Sequence, residues 1–313
     1  MKLIKPSFEI LPQSEGLYGI YKQIEYAGRT CYKSHDKITE DSAKGFVDRM
    51  IKSGHGAMLE HGTVYLAIPM TTYAPDAVNF YYDNPYSKVN ECNDFIFKDK
   101  YGDEVAAWCV TTNFRVLVEN NLLDDLEFLC EPTEYHEKRI TVKFITDQGI
   151  LREFTRHRVF SFAVESTRYC NYSKNKFDNE VTYILPSWVD KTTLPPKVSF
   201  HCSDNWGTLM CEHYYDFTEE GKKDWDVSDA DTGNFLFALD SCEQIYLSLI
   251  KQGWQPQQAR NVLPLATKCE MIMTGFVSDW EHFFFLRTPV NAHPQARELA
   301  IPLKEEFLKR NLI

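Results

Sequence analysis

Long apolar runs are missing from this chain of 313 residues. Nothing in it approaches the roughly 20 consecutive apolar residues that cross a bilayer. The start, Met1-Lys2-Leu3-Ile4-Lys5-Pro6, is broken by charge and proline before an apolar stretch can develop. A soluble, cytoplasmic protein is therefore expected. Basic charge is also in short supply: 34 Lys and Arg stand against 45 Asp and Glu, a net charge of −11. Coating nucleic acid or an anionic membrane takes a broad basic face, because affinity comes from neutralised phosphates and released counterions. Neither a membrane nor a nucleic acid polymer is thus expected as a partner, and any phosphate site has to be local. Paired CxxC elements are absent. The nine cysteines, odd in number and scattered, read as mostly reduced thiols in a chain long enough to build a core without staples. His201, Cys202, Cys211 and His213 lack the tight paired spacing that lets two ligands meet one ion, so no metal is expected there.

What is present is an ordered alternation of helical and strand-like patterns. Leu17, Ile20, Tyr21 and Ile24 share one face of a helix starting near Glu15. Thr39 is expected to cap a second helix that carries Ala43, Phe46, Val47, Met50 and Ile51 inward as far as Gly54. A polar turn holding His55 and His61 then leads into a strand over 63–68, a junction of the kind where sites are often built. The stretch 69–138 reads as an insertion, with turns at Asn84-Pro85, Asn90 and Asn93 and a helix through Val105, Trp108, Cys109 and Val116. A strand over 139–145 follows. The polar stretch 186–232 reads as a second insertion, and both are expected to be peripheral elaborations of one domain spanning 1–313.

The last third is helical. Phe235, Leu239, Cys242, Ile245, Tyr246, Leu249 and Ile250 fall at helical spacing before Gly253, and Pro256 opens a short helix through Arg260. An extended stretch over 268–273 precedes a helix ending near Arg287, with Ser278 and Glu281 as its capping box. The final helix starts near Pro294, turns Ala296, Leu299, Leu303 and Phe307 inward, and is expected to kink at Pro302.

One stretch carries chemistry: Arg156-His157-Arg158-Val159-Phe160-Ser161-Phe162-Ala163-Val164-Glu165-Ser166-Thr167-Arg168-Tyr169. Guanidiniums and hydroxyls this dense, inside an acidic protein, suit phosphate or carboxylate oxygens, which the planar arginine fork matches two at a time. The spacing of RHR, seven residues, then serine resembles the signature of the flavin-dependent thymidylate synthases, and Glu153, Phe154, Ser161, Arg168 and Tyr169 fit it too. Agreement at five fixed positions arises by chance at roughly one start point in a few million. Further segments are similar to that family in the same order. They are Ala27-Gly28-Arg29-Thr30-Cys31, the GHxxxxEH turn from Gly54 to His61, Ala259-Arg260-Asn261-Val262-Leu263-Pro264, the HFxxLR pattern from His282 to Arg287, and Pro294-Gln295-Ala296-Arg297-Glu298-Leu299.

The resemblance implies an α+β fold, a central and largely antiparallel sheet flanked by helices in a single catalytic domain with two insertions. It implies conversion of dUMP to dTMP with 5,10-methylenetetrahydrofolate as carbon donor and NADPH as reductant through bound FAD, in a homotetramer whose sites are shared. By motif position, Arg156, His157, Arg158 and His282 would hold FAD, with His55 and the neighbouring Ala57 on the folate side of the flavin. Glu153, Arg156, Ser166, Thr167, Arg168, Arg260 and Arg287 would surround dUMP, Ser166 to Arg168 coming from a neighbouring subunit. Arg287 is the catalytic candidate, because a fixed guanidinium stabilises charge developing on the uracil ring without giving up its proton. The Pro-Cys-His of the cysteine-dependent thymidylate synthases is absent, and Cys170 is expected to be a buried, inert thiol. Departures stand at Val164, where many family members carry an acid or amide, and at Phe276 and Ser278, where some carry Asn and Arg. Glu165 could replace the first of these. Glu60 and His61 could be a structural pair or cofactor ligands, and Phe283-Phe284-Phe285 helix core or a subunit interface. The rival reading is an RNA-binding or regulatory flavoprotein on the same fold without turnover.

Overall fold

A computed structural model describes residues 1–70, 75–98, 101–189, 199–201, 214–216 and 230–313. The first half opens with strands β1 (Lys2–Ile4) and β2 (Ser7–Leu11), helices α1 (Gly16–Tyr32), α2 (Ser42–Lys52) and α3 (Gly56–Leu59), and strand β3 (Thr63–Pro69). Helix α4 (Pro75–Asp83), strands β4 (Lys88–Lys98) and β5 (Glu104–Asn113), helix α5 (Phe114–Glu119), strand β6 (Arg139–Asp147) and helix α6 (Gln148–Phe154) follow. Beyond them come β7 (Ser161–Val164), β8 (Thr182–Ile184), β9 (Ser199–His201), β10 (Tyr214–Asp216), α7 (Ala230–Lys251) and α8 (Pro256–Ala259). Strand β11 (Lys268–Phe276), α9 (Val277–Arg287) and α10 (Pro294–Lys309) complete the order.

The element that positions the site is an antiparallel sheet in the order β2-β6-β11-β7. Its two faces differ chemically because residues alternate along each strand. Val142, Phe144, Met271 and Met273 pack with α9 and α10 through Trp280, Phe283, Leu299 and Phe307 into an apolar layer. The opposite face presents Thr141, Lys143, Glu270 and Thr274 toward α1, with a small apolar contact among Ala27, Ala163 and Ile272. The α+β architecture thus matches expectation. It is built from more than one sheet, however, since β3 joins β5 and β4 rather than β6.

The expected helix through Val105 and Trp108 is strand β5, and only Val116 falls in a helix, α5. The reason is burial: β5 is the central strand of the β3-β5-β4 sheet, and from Ala107 onward nearly every residue is covered, so its sequence loses the alternation of a half-exposed strand. Asn90 and Asn93 lie within β4 rather than at turns. Asn93 falls where the register with β5 shifts, and the Asn90 side chain donates to the Tyr135 carbonyl at 2.8 Å. The 69–138 stretch is not peripheral in its packing. Val78, Tyr81, Val110, Phe114 and Leu117 share one core cluster with Ile20, Ile24 and Phe46 of α1 and α2.

Helix ends also depart from expectation. Helix α2 begins at Ser42, whose hydroxyl accepts from the Thr39 amide at 2.9 Å and donates to Glu25 at 2.7 Å, so Thr39 does not cap it. In α9 the Asp279 carboxylate accepts from the Phe276 amide at 3.1 Å, two residues earlier than the Ser278–Glu281 box, and Ser278 donates to Glu137. Helix α10 runs on through Pro302. Much of the 186–232 stretch, with Cys202, Cys211 and His213, lies outside the described residues. Among the described residues no helix is long and apolar enough to cross a membrane, and no group of three His, Cys, Asp or Glu is placed to hold a metal ion.

Candidate active site

Asp147 ends β6 and caps α6, its carboxylate accepting from the Ile150 amide at 2.7 Å and from Gln295 at 2.7 Å. The last residue of α6, Phe154, is fully buried against Phe144 and Phe283. The chain then turns tightly, with His157 N–H on the Phe154 carbonyl and Phe160 N–H on the His157 carbonyl. Anchoring both ends of the turn in the apolar layer sorts the RHR triplet. His157 is turned inward at 7% exposure, while Arg156 and Arg158 stand in solvent.

Helix α9 brings Arg287 to this turn. Its Nε donates to His157 Nε2 at 2.9 Å, Nη1 to the Glu153 carboxylate at 2.7 Å and Nη2 to the Glu153 carbonyl at 2.6 Å. A guanidinium gripping a carboxylate and its own main chain is held in one orientation, the requirement for an electrostatic catalyst. Burial, Arg287 and His282 together push the His157 imidazole down to about 4, so it is neutral at pH 7 and accepts at Nε2. The His282 ring lies 6.4 Å from it on the solvent side. Glu153, His157 and Arg287 therefore form one contiguous group edged by His282. Arg156 and Arg158 make no ion pair or hydrogen bond among the described residues, which leaves two free cations on an exposed loop of an acidic protein.

The second cluster sits past the other end of β7. Arg260, set by the Pro256-led α8 and its Gln255–Gln258 cap, donates to the Thr167 hydroxyl at 2.8 Å. Ser166 is held by its N–H on the Cys31 carbonyl at 2.9 Å and accepts at Oγ from the Arg168 amide at 3.4 Å. The Arg168 guanidinium lies 5.3 Å from the Tyr169 ring and is exposed. A four-residue strand spans about 13 Å, so the two clusters stand apart within one chain.

His55 and Ala57 are exposed on the α3 turn, whose Gly54 adopts φ +69°, a left-handed conformation favouring glycine. His55 Nδ1 contacts Ser53 Oγ at 3.3 Å, and among the described residues the turn makes no hydrogen bond with Arg287 or Arg260. Glu60 and His61 are not paired with one another. Glu60 binds Arg115 of α5 at 2.6 Å, and fully buried His61 meets Thr274 Oγ1 at 2.8 Å. Of the aromatic run, Phe283 and Phe284 are core, while Phe285 is 72% exposed. Cys170 is buried.

The departures have structural consequences. Val164 packs against the apolar layer. Glu165 turns to the opposite face, where Lys268 holds it at 2.8 Å, so it does not take over a polar contact at position 164. Phe276 lies between Lys88 and Arg139, 5.7 and 5.5 Å from its ring. Sequence reasoning missed Arg139, a buried guanidinium that burial lowers to about 10 and that donates to the Glu60 carbonyl at 3.0 Å and to Ser161 at 3.3 Å. It also missed Lys33, Lys268 and Glu270. The alternation Lys268-Cys269-Glu270-Met271 was a legible sign of a charged sheet face.

Residues 133–310 match the family model described as thymidylate synthase complementing protein, and that span contains both clusters. The chain belongs to the flavin-dependent thymidylate synthase family. It is 26% identical over 170 residues to a probable flavin-dependent thymidylate synthase of Paramecium bursaria Chlorella virus 1, covering 54% of this chain and 66% of that one. A flavin-dependent thymidylate synthase of Pyrococcus furiosus is 24% identical over 159 residues, 51% of this chain and 50% of its own. One of Corynebacterium aurimucosum is 21% identical over 281 residues, 89% and 72% respectively. The chain thus spans two thirds or less of the length of the first two relatives.

Proposed function

We propose that this protein methylates dUMP to dTMP, with 5,10-methylenetetrahydrofolate as carbon donor and NADPH as reductant, in one synthase domain over 1–313 with 69–138 and 186–232 as insertions. The observation that carries the reading is the Arg287 fork, fixed by Glu153 and His157 beside two arginines unpaired among the described residues. Uracil C5 becomes nucleophilic only as negative charge spreads over N3, C4 and O4, and a cation already oriented toward that charge lowers the barrier. Arg287 has that role, with Glu153 and neutral His157 keeping its fork aligned. Exposed Arg156 and Arg158 would hold the diphosphate of FAD, and His282 beside His157 would contact the cofactor. The flavin supplies the hydride relay that no side chain can. Ser166, Thr167, Arg168 and Arg260 take the nucleotide phosphate and sugar, and His55 with Ala57 borders the folate.

The roughly 13 Å of β7 between the clusters supports a site assembled between subunits of a homotetramer, where one chain's Arg287 faces another's Arg168. The alternative, an RNA-binding flavoprotein without turnover, has a charge of −11 against it. Arg287→Ala is the test. The variant is expected to keep the visible flavin spectrum of the wild type and to lose dTMP formation. A variant that keeps both would remove Arg287 from the chemistry.

A further inference from the structure

The polar face of the sheet holds five charges that the site described above does not use. Where β7 ends, Glu165 N–H still bonds the Glu270 carbonyl at 2.8 Å, and Ser166 N–H crosses to the Cys31 carbonyl near the end of α1 at 2.9 Å. The Glu165 side chain is 3% exposed, and its Oε2 accepts from Lys268 Nζ at 2.8 Å and from the Glu270 amide at 3.2 Å. Glu270, 6% exposed, binds Lys268 at 2.8 Å, Lys143 at 3.4 Å and also Lys33. Lys33 sits in the left-handed region at φ 50°, where its amide ends α1 on the Thr30 carbonyl at 3.2 Å, so its ion pair fixes a strained residue. Burial alone would raise the Glu270 carboxyl, yet Lys268 and Lys33 hold it down to about 2. By formal charge, three lysines on two glutamates leave an excess of one positive charge within the network; burial lowers the Lys33 ammonium from its ordinary value, and Glu9 is the cross-strand neighbour of Lys143.

We propose, resting on the reading above, that this network is the positioning device for Ser166–Arg168, keyed by Lys268, and that its surplus charge makes that segment select a phosphorylated nucleotide over a neutral nucleoside. The geometry carries it. Glu165 is the residue next to Ser166, and its clamp and the Cys31 bond fix two consecutive residues at the start of the loop. Among the described residues the network makes no hydrogen bond or ion pair with Arg156, Arg158, His282 or Arg287, so it acts on the Ser166–Arg168 segment and not on the Arg287 fork or the flavin arginines. Buried charge is screened little by salt, so a single surplus cation reaches a neighbouring phosphate more effectively than an exposed one does.

The test is equilibrium binding of radiolabelled dUMP and of deoxyuridine to the flavin-loaded protein, with flavin content and thermal midpoint measured alongside. Lys268→Met is expected to weaken dUMP at least tenfold and deoxyuridine less than threefold while flavin content stays at the wild-type level. Lys268→Arg is expected to restore most of the loss. Lys143→Met removes the surplus charge without touching Glu165, which guards against a Lys268 variant that fails to fold. It is expected to narrow the dUMP-to-deoxyuridine preference several-fold. If dUMP binds both methionine variants as it binds wild type, or if dUMP and flavin are lost in parallel, the network is structural only and the proposal is overturned. If wild type binds flavin but no dUMP, the functional reading itself fails first.

Discussion

His61 gives the sharpest quantitative prediction. It is fully buried, its Nδ1 meets Thr274 Oγ1 at 2.8 Å, and burial together with the nearby Arg139 guanidinium lowers its pKa from 6.5 to about 3. Below pH 6.5 the unfolded chain takes up a proton that the folded chain refuses until about pH 3, so stability is lost as pH falls through that window. Each pH unit in the window corresponds to about 1.4 kcal/mol. From pH 7.5 to pH 5 His61 alone therefore contributes a loss of about 2 kcal/mol. Urea unfolding of flavin-saturated protein at pH 7.5, 6.5, 5.75 and 5, for wild type and His61→Gln, isolates this contribution. The glutamine variant is expected to be less stable at pH 7.5 and to show a flatter fall toward pH 5, the gap to wild type closing by about 2 kcal/mol. Equal pH slopes in the two proteins would refute the claim that His61 is held neutral in the core. His157, lowered to about 4 by burial and by Arg287 and His282, shifts in the same direction, so some acid sensitivity is expected to survive in His61→Gln.

Three other outcomes are expected. Arg287→Lys keeps a charge but not the three-point grip on Glu153 and His157, and steady-state assays should show kcat lower by about 10²-fold, as for loss of an oriented oxyanion donor. Gly275→Ala places a Cβ 2.4 Å from the Phe160 ring beneath the RHR turn, and thermal unfolding should show a loss of about 1–3 kcal/mol from overpacking. Inactive Arg168→Ala and Arg287→Ala chains, co-expressed and purified as mixed oligomers, should recover a substantial fraction of wild-type turnover. Recovery that never exceeds the two separate variants would mean each chain builds its site alone.

Much of this structure was legible because it rests on local periodicity. Ile20 and Ile24 in α1, Phe46 and Val47 in α2, and Leu299, Leu303 and Phe307 in α10 are buried as their spacing requires. Legibility failed where tertiary packing decides. Strand β5 is covered on both sides and so lacks period-two polarity, and Thr39 looks like a cap until the Ser42 hydroxyl is seen to bind Glu25 of a different helix. In the site, the motif named Arg156, His157 and Arg158 together, but only the packing of Phe154 and Phe160 decides that His157 faces in and its neighbours out. The partnership of Lys33 with Glu270 joins opposite ends of the chain, and no spacing rule reaches that far.

The central claim is the reaction itself, and product analysis tests it most directly. Purified protein, carrying or reconstituted with FAD, is incubated without oxygen with dUMP, NADPH and methylenetetrahydrofolate labelled in the methylene carbon. The account predicts label in dTMP, in proportion to NADPH consumed and dependent on all three substrates. Flavin-loaded protein that oxidises NADPH but returns dUMP unchanged would contradict it.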